Sequence, residues 1–123
     1  MLTERRLMAF VATQDADRAK RFYRDLLGLR LVSDEPYALV FDAHGTMLRI
    51  QKAGPFTPHP FTALGWEVPD LRAELRALAA HGIEPKRYPH LEADELGVWD
   101  AGEAEIGWFQ DPDGNLLSLT QFK

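Results

Sequence analysis

Hydrophobic and polar positions follow the same order twice along this chain. The first run opens with RLMAFVAT, which is apolar enough for a buried strand. The next stretch, DADRAKRFYRDLLG, changes to helical spacing, with Asp15 as a candidate N-cap and Gly28 just past the end. Three short strands are then predicted in LRLVS, YALVF and TMLRIQ, because DEP and DAHG break the pattern between them.

The second run follows a connection rich in proline and glycine, KAGPFTPHP, at residues 52–60. FTALGWEV predicts a strand, and PDLRAELRALAAHG predicts a helix that ends at Gly82. IEPKRYP is a candidate for a short edge strand. AEIGWFQ and NLLSLTQF predict two further strands, joined by the turn DPDG.

These two runs form an internal repeat of the order β-α-β-β-β. Met8 precedes the helix cap Asp15 by seven positions, and Ala63 precedes Asp70 by seven. A repeat of this kind matters because neither half covers its own sheet, so the two are expected to pair. The alternative is chance similarity between two generic halves.

The turn phrases DAHGTMLRIQ and DPDGNLLSLTQ also superpose, and this places Arg49 opposite Ser118. The second copy is then longer by about 14 residues, around 87–103. We therefore expect one α+β domain spanning residues 1–123, with a first module at about 1–53 and a second at about 61–123. A chain of 123 residues is long enough for one such domain.

Composition and charge exclude several classes of function. The chain has no cysteine, so it offers neither a disulfide nor a thiolate ligand. A net charge of −5 argues against nucleic-acid binding. No apolar run reaches the length of a signal peptide core or a membrane span, so we expect a cytoplasmic protein with no membrane partner.

The negative charge is concentrated near the end of the chain. Residues 88–122 contain eight acidic side chains and neither lysine nor arginine. Such a segment is usually a solvated surface. The sharper hypothesis is a rim that attracts a cationic molecule.

Three phrases give the chain its family resemblance: DADRAKRFYRDLLGL, LGWEVPDLRAELRALAAHGIEP and WFQDPDGNLLSL. Together they resemble the vicinal oxygen chelate superfamily, which includes glyoxalase I, extradiol dioxygenases, and fosfomycin- and bleomycin-resistance proteins. The resemblance implies two paired βαβββ modules whose mixed sheets curl around a cup-shaped cavity. It also implies a homodimer, whose modules pair within one chain or swap between two.

In metal-dependent members of that family, the ligands occupy one inward position on the first and last strand of each module. The matching positions here are Met8, Arg49, Ala63 and Ser118. A thioether, a guanidinium, a methyl group and a hydroxyl do not make a site for a hard divalent ion. We therefore expect neither a metal nor another cofactor.

Strand alternation predicts which other side chains point the same way as these four positions. With two tryptophans of the acidic segment, which could stack on an aromatic or cationic molecule, they make up the candidate ligand-binding set. Its members are Met8, Phe10, Met47, Arg49, Gln51, Ala63, Gly65, Glu67, Trp99, Trp108, Ser118 and Thr120. The alternative is a closed core in which Arg49 pairs with Glu67; we expect that pair in either case, since an unpaired buried arginine is costly.

Three functions remain open from the sequence. The first is metal-free binding of a small organic molecule, as in the bleomycin-resistance branch, for a cationic or aromatic compound. The second is a lyase, isomerase or dioxygenase with a relocated metal or with Glu67 as acid and base, although no histidine stands near Glu67 in the pattern. The third is a non-catalytic partner module with a filled cup.

Overall fold

A computed structural model describes all residues of the chain, Met1–Lys123, as two compact units, Met1–Pro58 and His59–Lys123. Each unit has one four-stranded mixed sheet and one helical segment. The α+β class and the βαβββ order of each run are as predicted. No helix in the chain is both long enough and apolar enough to cross a bilayer.

In the first unit, β1 (Met8–Thr13) leads into a helix and then into three strands. The helix starts as α1 (Ala16–Lys20) and continues as a π-helical segment (Arg21–Leu26). The three strands that follow are β2 (Arg30–Asp34), β3 (Ala38–Ala43) and β4 (Thr46–Lys52). The sheet order is β1-β4-β3-β2, with β1 parallel to β4.

The second unit repeats this order. Its elements are β5 (Leu64–Glu67), α2 (Leu71–Ala80), β6 (Trp99–Asp100), β7 (Ala104–Gln110) and β8 (Leu116–Phe122). The sheet order is β5-β8-β7-β6, with β5 parallel to β8. The candidate edge strand in IEPKRYP does not form. The edge strand of this sheet is β6 (Trp99–Asp100), and Trp99 also forms an isolated antiparallel β-bridge with Ala93.

Local chemistry fixes where both helices begin. The Asp15 carboxylate accepts a hydrogen bond from the Arg18 backbone N–H, and Asp70 accepts one from Ala73. Both are N-caps, which satisfy amide groups that the first helical turn leaves without partners. Gly28 follows the C-cap residue Leu27 of the first helical segment, and its φ of 78° is costly for other residues.

One face of each sheet packs against that unit's helical segment. In the first unit, the Tyr23 ring is fully buried and lies 6.1 Å from the Phe41 ring. In the second, the buried residues Leu71 and Leu75 of α2 cover Gly107 of β7, where a β-carbon would come within 3.0 Å of the Leu75 Cδ1 atom. The opposite face of each sheet, which points away from the helix, is called the helix-distal face below.

Candidate ligand-binding faces

Strand register places the candidate residues of the first unit on its helix-distal face. Cross-strand partners point to the same side of a sheet. The register pairs Met8 with Met47 and Phe10 with Arg49, and Gln51 lies two residues further along β4. Met8, Phe10 and Met47 are exposed. The structure therefore brings these five side chains onto one surface, largely apolar and with one guanidinium.

The same relationship holds for the candidates of the second unit. Gly65 pairs with Ser118 and Glu67 with Thr120, while the Ala63 backbone N–H donates to the Leu116 carbonyl. These candidate positions therefore share the helix-distal face of the second sheet. Trp66 points to the other side, which α2 covers, in keeping with its opposite parity.

Three aromatic rings meet on the helix-distal face of the second unit. Trp99 and Trp108 are stacked with ring centroids 6.0 Å apart and planes inclined by 30°. The Tyr88 ring meets Trp108 edge-on at 5.5 Å. All three rings are partly exposed. We call Tyr88, Trp99 and Trp108 the aromatic wall; such rings offer a large apolar contact area with little side-chain entropy to lose.

Two contacts hold this wall in place. The Trp108 indole Nε1–H donates to the Thr62 hydroxyl at 3.2 Å, which fixes the rotation of the ring. The Lys86 backbone N–H donates to the Trp108 carbonyl at 2.8 Å, so the irregular segment that carries Tyr88 runs beside β7. Burial raises the pKa of the Tyr88 phenol.

Thr62 and Tyr88 were not among the candidates that the sequence provides. Tyr88 lies in an irregular segment, where no periodicity shows which way a side chain points. The only available signal was that Tyr88 precedes the same acidic segment as Trp99. Thr62 carries no signal beyond its position next to Ala63.

A narrow notch lies beside the wall. Ser118 is the cross-strand partner of both Trp108 on one side and Gly65 on the other. A β-carbon on Gly65 would lie 2.7 Å from the Ser118 Oγ atom, and the other atom within 4 Å would be the Ser118 carbonyl oxygen. Gly65 is exposed, whereas Ser118 is only 8% exposed. The absent side chain of Gly65 therefore opens the space into which the Ser118 hydroxyl points.

The structure corrects one predicted pair. The Arg49 guanidinium contacts the Glu35 carboxylate at 3.4 Å, whereas the sequence predicts a pair with Glu67. The Ser33 hydroxyl donates to the same carboxylate at 2.9 Å. Glu35 lies in the irregular stretch after β2, so strand alternation could not have identified it.

Several carboxylates of the acidic segment are already paired. Arg72 of α2 donates to both Asp94 and Glu105, and Lys123 donates to Asp100. Burial alone would raise the pKa of Asp94, but hydrogen bonds from the Val98 and Leu96 amides and from Arg72 outweigh it, so that pKa is lowered. The hydrogen bond from Arg72 also lowers the pKa of Glu105.

These pairs also lie away from the aromatic wall. In β7, Glu105 alternates with Ile106, and Ile106 pairs with Trp99 on the helix-distal face. Glu105 therefore points to the helix side. A surface depression of about 390 Å³ on that side is lined by Arg72, Arg76, Asp94, Glu95 and Leu96. Its charges largely compensate one another, and it offers little apolar surface to an organic molecule.

The donor chemistry does not fit the divalent ion that the family resemblance associates with this fold. Within the first unit the matching positions are Met8 and Arg49, and within the second they are Ala63 and Ser118. Nowhere in the chain do three or more histidine, aspartate or glutamate side chains cluster with metal-binding geometry. The side chains at these positions therefore do not fit a divalent metal ion.

Glu67, the weak catalytic candidate, lies exposed at the end of β5. Its cross-strand partner is Thr120, and it forms no ion pair with another side chain of the chain. General acid and base catalysis uses a side chain that is positioned against the proton it moves, often with a second polar group that orients it. Glu67 has no side-chain hydrogen-bond partner that would position it in this way.

Comparison with known proteins identifies the fold. The family model described as "Glyoxalase/Bleomycin resistance protein/Dioxygenase superfamily" matches residues 6–119. No curated protein matches the sequence. A glyoxalase family protein from Bacillus anthracis superposes with a TM-score of 0.77 at 16% identity, with 100% of both chains covered.

Two further solved structures are of proteins whose names include a function. TnmS3, an antibiotic binding protein from Streptomyces sp. CB03234, has a TM-score of 0.75 and 23% identity, covering 100% of this chain and 99% of its own. The fosfomycin resistance protein FosX from Listeria monocytogenes has a TM-score of 0.74 and 13% identity, covering 95% and 92%. At these identities the similarity establishes the fold alone.

Proposed function

Because this chain belongs to the glyoxalase/bleomycin resistance protein/dioxygenase superfamily, we propose that it binds a planar aromatic small molecule without a metal ion and without transforming it. The binding surface is the helix-distal face of the second unit. The aromatic wall carries the proposal, because Trp99 and Trp108 stack on each other and remain partly exposed. A flat ring that extends this stack gains contact on a surface that is already ordered.

The proposed ligand is defined by its aromatic ring, and binding does not require the ligand to carry a positive charge. Asp94, Asp100 and Glu105 are engaged by Arg72 and Lys123, so the acidic segment presents less free charge than its sequence suggests. The wall also has its own cation, since the Lys86 Nζ atom lies 6.0 Å from the centre of the Tyr88 ring. Both features favour a neutral ring over a cationic one.

Two proteins of the same fold have roles of this kind: TnmS3 is an antibiotic binding protein, and FosX is a fosfomycin resistance protein. Sequestration of a toxic aromatic compound is therefore the biological role that we propose. A sequestering protein needs affinity and no reactive group, which suits a face whose polar members are a serine, a threonine and an unpaired glutamate.

The chain's three tryptophans provide the test. Each gives one indole N–H signal in a ¹H–¹⁵N spectrum of the uniformly labelled protein, assigned with single Trp→Phe variants. The probes share a bicyclic ring and differ in charge: 2-naphthol, 2-naphthoate and 1-methylquinolinium. We expect 2-naphthol to shift the Trp99 and Trp108 signals and to leave Trp66 in place, because Trp66 lies on the other face of the sheet.

A variant pair completes the experiment. Trp108→Leu should weaken 2-naphthol binding about tenfold, since loss of a stacking ring costs about 1–3 kcal/mol. Trp66→Leu is the matched control and should bind normally. If none of the three probes shifts any indole signal, or if Trp66 alone responds, the proposal is wrong.

We further propose that Met8, Phe10, Met47, Arg49 and Gln51 form a ligand-binding surface of the first unit, taken by itself. Support comes from the exposure of three apolar side chains in this set, which water would otherwise solvate at a cost. Methionine methyl labelling tests the point, because the chain has three methionines. Saturating 2-naphthol should shift the Met8 and Met47 methyl signals but not that of the exposed Met1; unmoved Met8 and Met47 signals would exclude this surface.

A homodimer also forms part of the proposal, and it rests on the family resemblance. Sedimentation equilibrium over a hundredfold range of concentration would distinguish a dimer from a monomer of 13.9 kDa. A monomer at every concentration would remove the homodimer and leave the ligand proposal intact.

A further inference from the structure

The Ser118 hydroxyl has no hydrogen-bonding role within the folded chain. The residue is 8% exposed, and the hydroxyl makes no hydrogen bond to another group of the chain. Its Oγ atom is not fully buried, so water reaches it when no ligand is bound. The chain's other serine, Ser33, is more exposed, and yet its hydroxyl is bonded to Glu35. The Ser118 hydroxyl can therefore form a hydrogen bond with a group from outside the chain.

Gly65 leaves that hydroxyl accessible. A glycine inside a strand weakens the strand unless close approach or a bulge requires it. The backbone of Gly65 does not have the positive φ that favours glycine, and the register of β5 with β8 is regular. What its missing side chain provides is space, since a β-carbon would come within 2.7 Å of the Ser118 Oγ atom. Gly65 and Ser118 therefore form the notch together, and the Ser118 hydroxyl lines one side of it.

The notch lies within reach of a ring on the wall. Ser118 is the direct cross-strand partner of Trp108, and neighbouring strands lie about 4.8 Å apart. A bicyclic ring is longer than that spacing. One edge of a ring that contacts Trp108 can thus extend over β8 and place a polar atom at the Ser118 hydroxyl.

We infer that the ligand is a planar aromatic compound with a hydrogen-bonding oxygen or nitrogen on its edge, and that Ser118 selects it. This inference rests on the proposed aromatic binding and makes it more specific. The hydroxyl can donate to a carbonyl or ring nitrogen, or accept from a phenol. Gly65 acts by leaving the space that the polar edge occupies.

Two probes of nearly the same shape test the selection. 2-Naphthol carries a hydroxyl where 2-methylnaphthalene carries a methyl group. Dissociation constants are measured by NMR titration of the wild-type protein, Ser118→Ala, Gly65→Ala and Ser33→Ala. We expect the wild type to prefer 2-naphthol about fivefold, and Ser118→Ala to bind both probes equally. Gly65→Ala should also lose the preference, because its new methyl group fills the notch.

The outcomes separate the two claims. Ser33→Ala should keep the preference, since that hydroxyl already has a partner in Glu35. Equal binding of both probes by the wild type, or an unchanged preference in Ser118→Ala, overturns the role of the notch and leaves aromatic binding standing. Failure of both probes to bind overturns the proposed function itself. Melting curves of each variant confirm that the fold persists.

Discussion

Gly65 and Ser118 face each other across β5 and β8 so closely that a β-carbon on Gly65 would lie 2.7 Å from the Ser118 hydroxyl oxygen. That distance is below van der Waals contact, so the two positions cannot be changed independently. A side chain at position 65 would collide with the Ser118 hydroxyl in its present rotamer. The notch is thus a property of the pair.

The first prediction concerns the stability of this pair. Gly65→Ala alone should be destabilised because Ser118 must rotate away from the new methyl group. In the Ser118→Ala background the hydroxyl is gone, so the same substitution should cost less. A double-mutant cycle measured by urea unfolding should give a coupling of about 1 kcal/mol, within the range for contacting residues. Additive effects would show that the two side chains do not meet.

The second prediction concerns the segment behind the aromatic wall. Arg72 holds Asp94, whose carboxylate accepts hydrogen bonds from the Leu96 and Val98 amides. Arg72→Gln removes the charge partner of this turn, so hydrogen exchange at those two amides should accelerate. The matched control is Arg76→Gln, one helical turn away, which should leave the exchange rates unchanged. Equal acceleration in both variants would contradict a specific role for Arg72.

The third prediction concerns acid stability of the first unit. Hydrogen bonds from Lys20 and Lys52 lower the pKa of Asp34 to about 2. The unfolded value is about 3.9. Because the folded pKa is the lower one, this carboxylate stabilises the fold fully above about pH 5 and loses that contribution as the pH falls toward 2.

Asp34→Asn should therefore have a lower melting temperature than the wild type at pH 7, and the difference should shrink between pH 5 and pH 2. Thermal unfolding followed by circular dichroism at each pH measures both curves. Asp17→Asn, an exposed carboxylate in the first turn of α1, serves as the comparison. A difference that is constant with pH would contradict the lowered pKa.

The fourth prediction separates packing from binding. Leu75 of α2 is buried and packs on Gly107, on the face of the sheet opposite to the aromatic wall. Leu75→Ala should cost about 2–5 kcal/mol of unfolding free energy, because it removes buried methyl groups and leaves a cavity. The folded fraction should still bind 2-naphthol with wild-type affinity. A loss of binding in parallel with stability would mean that the wall depends on this core.

The fifth prediction concerns metal removal. Met8, Arg49, Ala63 and Ser118 provide no set of ligands for a divalent ion. Dialysis against EDTA should therefore change neither the melting temperature nor 2-naphthol binding, and protein purified without chelator should contain less than stoichiometric metal by mass spectrometry. A stoichiometric ion lost on dialysis, together with lower stability, would overturn the metal-free proposal.

Much of the fold could be predicted from the sequence because its signals are local. Asp15 and Asp70 precede their helices by the short distance over which a cap acts, and both caps are present. Strand alternation is a property of consecutive residues. It therefore placed Gly65 and Ser118 on one face without knowledge of any tertiary contact.

The tertiary structure decided which partners these residues meet. Tyr88 reaches Trp108 through an irregular segment, and Arg72 is joined to Glu105 across 33 positions of sequence. Arg49 contacts Glu35, a residue in a turn that has no periodicity. The physical reason is that caps and alternation act over a few residues, whereas a long charged or aromatic side chain pairs with whatever the folded backbone brings within a few ångströms.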